Sequence, residues 1–159
     1  MHKMTLETAK ALIAAAERKS RELGLAVDIA IVDDGGNLVA FHRMDNARIA
    51  GIDISQGKAW TSVAMRMPTA NLAQSAQPGG PTFGINTTNG GRLVILGGGI
   101  PLVKDKTIVG GVGVSGGTSA QDIEIATAAV QAFESLRDLG GARLGTVRIG
   151  SSYPPATPG

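Results

Sequence analysis

Residues 26–44 read AVDIAIVDDGGNLVAFHRM, and this stretch decides the fold. Two apolar runs, 26–33 and 37–44, flank Asp34-Gly35-Gly36. Runs rich in Val and Ile around an Asp-Gly pair signal a β-hairpin. With a loop of two or four residues, paired positions sum to 71. Val27, Ile29 and Ile31 then share a face with Met44, His42 and Ala40. Val32, Ala30 and Asp28 lie on the other face, opposite Val39, Phe41 and Arg43. Asp28 would face Arg43 as a charge pair, and an odd-length loop would break this register. Both faces are largely apolar, so the hairpin needs cover on both sides.

Working outward, residues 5–23 form a first helix, with Thr5 as N-cap, Glu7 in the first turn and Gly24 as the stop. Leu6, Ala9, Ile13 and Ala16 fall on one of its faces. A second helix over 47–67 repeats Ile52, Gln56, Ala59, Trp60, Val63 and Met67 at helical spacing and ends before Pro68. The polar, glycine-rich run 77–91 has the length of a lid, a binding loop or a disordered segment. A short strand at 92–96 and a second hairpin, 99–104 with 107–115, follow. Pro101 places its strand at a sheet edge or a bulge. A last helix spans 120–136, with Ser119 and Asp122 as its capping pair. The order helix, hairpin, helix, hairpin, helix predicts an α+β domain, an antiparallel five-stranded sheet flanked by helices. It covers residues 1–139, and a Gly/Pro-rich C-terminal tail, 140–159, is left as a loose extension or an arm onto a neighbouring subunit.

Composition narrows the function. The 159 residues include no cysteine, which excludes disulfides, thiolate metal sites and a Cys nucleophile. A net charge of +2 with scattered basic residues gives no footprint for nucleic acid. No apolar run reaches the ~18 residues of a membrane span. The start, MHKMTLETAK, lacks a signal-peptide apolar core, so a cytoplasmic location is expected. His-x-x-His and clustered carboxylate patterns are missing, so a bare metal site is not expected. Glycine, 23 of 159, is about twice its usual ~7%, and it clusters, most densely at 110–117.

Four motifs stand out together: VDDGGNLV at 32–39 running into Arg43-Met44-Asp45; Lys58-Ala59; GGGIPL at 97–102; and VGGVGVSGG at 109–117 with Asp122 beyond. In this order and spacing, over roughly residues 5–136, the chain resembles the GlcG/HbpS family of small haem-binding proteins. That family is related to the C-terminal domain of certain corrinoid adenosyltransferases. The resemblance implies a helix-flanked antiparallel sheet, a homo-oligomer that is often an octamer, and binding of haem or another tetrapyrrole.

Haem iron takes His, Met, Cys or Tyr. Here the choices are His42, Met44, Met65, Met67 and Tyr153, and His42, in a strand beside Arg43, is the candidate axial ligand. Its alternative is a structural histidine hydrogen-bonded beside Ile29. Arg43 offers a fork for a propionate or pairs with Asp28. Asp45 is a general base or simply opens the turn before the second helix. Lys58 is an anion partner or a snorkelling lysine. Ser115, Gly116 and Gly117 lead into the last helix, where free N–H groups can hold a carboxylate or phosphate; otherwise the glycines serve close packing. The S-x-x-K of Ser55 and Lys58 lacks its partner motifs, and the G-x-G-x-x-G of 111–116 follows a hairpin, so neither is taken up. Two functions follow, beside a third reading as a scaffold with no ligand, in which the glycines serve subunit packing. One is an oligomeric binding protein for haem or a related tetrapyrrole. The other is an isomerase, hydratase or lyase for a carboxylated metabolite, with His42 or Asp45 moving the proton and Arg43 holding the carboxylate.

Overall fold

The computed structural model describes residues 3–143, the last seven by backbone alone. Helix α1 (Leu6–Glu22) starts where Thr5 Oγ1 accepts the Thr8 N–H at 3.1 Å. Strands β1 (Asp28–Asp33) and β2 (Leu38–Arg43) form the expected hairpin. Four pairs, from Asp28↔Arg43 to Ile31↔Ala40, keep the sum of 71; then a bulge sets Val32 opposite Leu38. Asp33 draws the turn together, its Oδ1 accepting the N–H groups of Gly35 and Asn37, each at 2.9 Å.

Helices α2 (Ala50–Met65) and α3 (Thr69–Ser75) follow, separated by Pro68. The loop 77–91 is built of turns, two of them short 3₁₀ segments. Strands β3 (Gly99–Lys104) and β4 (Thr107–Ser115) pair, and helix α4 (Ser119–Arg143) closes the described chain. It runs through Gly140 and Gly141; residues 144–159 of the tail lie outside the described residues.

The sheet has four antiparallel strands in the order β2-β1-β4-β3, not five. Residues 92–96 join no ladder. Val94 N–H instead donates to Thr61 Oγ1 of α2 at 3.0 Å, and the Arg92 guanidinium stacks on Trp60 at 4.1 Å. This segment lies over a helix, where a side-chain oxygen satisfies the backbone donor that a strand would otherwise use. β3, with Pro101, is indeed an edge strand, and it carries a bulge after Leu102.

Helices α1 and α4 cover one face, over an aliphatic core that includes Leu12, Ile13, Ile29, Ile31, Val112, Val114 and Ile125. α2 covers the other face by different means. Of its expected stripe only Ala59 is buried; the helix instead buries Gly51, Ser55, Lys58, Ala59, Thr61 and Ser62. Gly99, Gly111 and Gly113 explain this. A Cβ at Gly113 would run into the Ser55 carbonyl, and one at Gly111 would lie 2.6 Å from Ser62 Oγ. The α2 backbone rests directly on these glycines of the strands. No helix among the described residues is long and apolar enough to cross a membrane.

Candidate functional site

A cleft of about 440 Å³ opens where the end of β2 meets α1. Phe41, His42, Arg43, Met44 and Asp45 line it from the strand and the following turn, Glu17 and Arg21 from the helix. β2 is an edge strand, so among the described residues the cleft lies beside an unpaired sheet edge.

His42 is half exposed, and its Nδ1 lies 3.2 Å from Glu17 Oε1. A carboxylate on Nδ1 fixes the tautomer with Nε2 free to act as an acceptor or a ligand. Glu17 is further oriented by Arg21, whose Nη2 stands 3.9 Å from its second oxygen. Sequence reading missed Glu17: it sits 25 residues away on another element and carries no local signal. Alternation along the strand puts His42 and Met44 on the α1 side and Phe41 and Arg43 on the α2 side, so the cleft wraps the strand end. Asp45 lines the cleft and also opens a turn closed by Ala47 N–H to Met44 O at 3.0 Å.

Arg43 stands opposite Asp28 in register, but the two make no hydrogen bond. The Asp28 carboxylate is fully buried, and neither oxygen has a hydrogen-bond partner among the described residues. A Cβ at Gly51 would collide with it. Burial pushes the Asp28 carboxyl up, and the charge of Arg43 partly opposes this.

The remaining predicted residues lie elsewhere. Lys58 is 1% exposed; its Nζ donates to Val114 O at 2.8 Å and to Asp122 Oδ2 at 3.0 Å. Burial pulls the lysine down, and Asp122 opposes that shift. Asp122 Oδ1 accepts the Gly117 N–H at 2.8 Å. The capping pair of α4 is Thr118 with Gln121, one residue before the pair expected at Ser119 and Asp122: Thr118 N–H donates to Gln121 Oε1 at 2.9 Å, and Gln121 N–H to Thr118 Oγ1 at 3.2 Å. Side chains of the protein itself thus occupy N–H groups at the start of α4. Gly116 O accepts from Arg48 Nη2 at 3.1 Å, and Ser115 is buried opposite Asp28. Lys58, Ser115, Gly116 and Gly117 are not in the lining of the His42 cleft. Among the described residues no group of three or more His, Asp or Glu side chains could hold a bare metal ion.

The family model described as haem degrading protein, HbpS-like, matches residues 4–131. The chain belongs to the HbpS-like family. This HbpS-like chain is 40% identical, over 84% of its length and 94% of the relative's, to an uncharacterized 15.0 kDa protein from the dhaT-dhaS intergenic region of Citrobacter freundii. It is 37% identical over 77% of its length to the corrinoid adenosyltransferase PduO of the same organism, but spans only 36% of that enzyme. Among solved structures, the PduOC:heme complex superposes with a TM-score of 0.79 at 34% identity, over 82% of this chain and 95% of the other.

Proposed function

We propose that this protein is an oligomeric binding protein for haem or a related tetrapyrrole, with His42 as axial ligand. The observation that carries the reading is the Glu17–His42 pair at an open cleft: Nδ1 is engaged, and Nε2 has no partner among the described residues. Metal-ligating histidines commonly have this arrangement. The residues fit the group. Arg43 is a half-turn of the strand away and supplies a fork for a propionate, while Phe41 and Met44 supply apolar walls. Bound haem would supply an iron centre; Glu17 would hold the imidazole in place. The family relation to a structure solved with haem supports the reading. A cleft this open, beside an unpaired strand edge, leaves one side of a large flat ligand uncovered, which suits completion by a second copy. An octameric assembly and a cytoplasmic location belong to the same reading.

The same dyad favours a second reading. A carboxylate-oriented imidazole with Arg43 and Asp45 in one cleft is equipped to move a proton on a small carboxylated substrate. One experiment separates the two. Hemin is titrated into the purified protein and the Soret band followed. A saturable, stoichiometric shift that weakens in His42→Ala supports the tetrapyrrole reading. A missing shift, or one indifferent to His42, sinks it and turns the search to carboxylic acids.

A further inference from the structure

A second cleft, of about 590 Å³, lies at the opposite end of the sheet. Three chain reversals meet there: the β1–β2 turn, the C-terminus of α2 and the β3–β4 turn. Trp60 and Val63 form its apolar wall; Arg66 and Lys106 bring two cations, and Asp34 is the one acid in its lining. None of these residues lines the His42 cleft.

Trp60 is held before any ligand arrives. Arg92 covers one face of its ring at 4.1 Å and is not in the cleft lining, so the rest of the indole surface is what the cleft offers. Gly36 packs against the ring edge, where a Cβ would lie 2.6 Å from Cδ1. The cations are placed against backbone preference. Arg66 caps α2 at φ 57° and Lys106 closes the β-turn at φ 64°, both in the left-handed region that glycine occupies more readily. Neither side chain makes an ion pair or hydrogen bond among the described residues. Both angles belong to the connections that shape the cleft: the left-handed cap of α2, and the two-residue β3–β4 loop, where Asp105 also has a positive φ of 49°.

We propose that this cleft is a second ligand site, for a small organic anion. Its carboxylate or phosphate would sit between Arg66 and Lys106, and its apolar body would lie against Trp60 and Val63. An anion with a flat apolar body matches a wall of indole and valine beside two cations.

The test uses a feature of the chain: Trp60 is its only tryptophan, so its indole N–H resonance reports on this cleft without ambiguity. Benzoate and phenyl phosphate are titrated separately into the full-length protein, with neutral benzyl alcohol as control. A saturable shift with either anion is expected, and the tighter of the two identifies the preferred head group. The double variant Arg66→Gly/Lys106→Gly relieves both backbone angles, so it should fold at least as well. It should weaken the response about tenfold or more while leaving the hemin titration unchanged. A lack of saturable shift with both anions overturns the proposal. So does an equal response to benzyl alcohol, or a response that the glycine variant keeps.

Discussion

One sheet carries two differently built faces. Toward α1 and α4, β1 and β4 present Ile29, Ile31, Val112 and Val114, which fill the space between layers. Toward α2, the same strands present Ala30, Gly111 and Gly113, and the helix backbone itself fills the space. The first face tolerates small changes in volume because side chains can shift. The second meets helix backbone at Gly99 and Gly113, and backbone cannot give way as a side chain can. That layer also buries Asp28, whose carboxylate has no hydrogen-bond partner among the described residues, and from it Lys58 of α2 reaches Asp122 of α4.

The largest effect should come from filling the close-packed face. Gly113→Val drives a side chain into the backbone of α2 and should cost about 4 kcal/mol or more, or abolish folding, in thermal unfolding. Ile31→Val on the opposite face should cost only about 1 kcal/mol. Similar losses at the two sites would break the contrast.

Next is the buried ion pair. Lys58→Met alone strands the Asp122 carboxylate and should cost about 3–5 kcal/mol. The double variant Lys58→Met/Asp122→Leu should recover more than half of that loss in denaturant melts. A double variant as weak as the single would mean that the Asp122–Gly117 bond, not the charge pair, sets the stability.

Asp28 sharpens the comparison through pH. Its folded pKa is raised, so the folded chain holds the proton more tightly than the unfolded chain does. Its contribution favours folding below the ordinary carboxylate range and is lost as pH rises through the folded value. Asp28→Asn should therefore stabilise at neutral pH, with the gain shrinking in acid. Melting temperatures across pH check this, and a gain that is constant with pH would assign the effect to shape alone.

The smallest stability change belongs to the open cleft. Glu17→Gln touches a half-exposed pair and should shift stability by less than about 1 kcal/mol. Under the tetrapyrrole reading it should nonetheless weaken hemin binding about tenfold. Unchanged binding would leave Glu17 as a surface neighbour of His42 and nothing more.

Much of the fold was legible along the chain. The hairpin and its register follow from turn chemistry and a period of two, and α1 from its Thr5 cap and its Gly24 stop. Such signals act within a few residues, so the sequence carries them by itself. His42, Arg43 and Asp45 also share one cleft because they are neighbours on one strand and its turn. Other features were settled only by tertiary structure. Residues 92–96 had strand composition but found a donor's partner on α2 rather than a strand. The α2 stripe rotated because the glycines of β3 and β4 admitted its small face, a preference invisible in the helix's own pattern. Glu17 reaches His42 across 25 residues and Lys58 reaches Asp122 across 64. No local period encodes such a meeting; it depends on which face each element buries, and packing of the whole chain decides that.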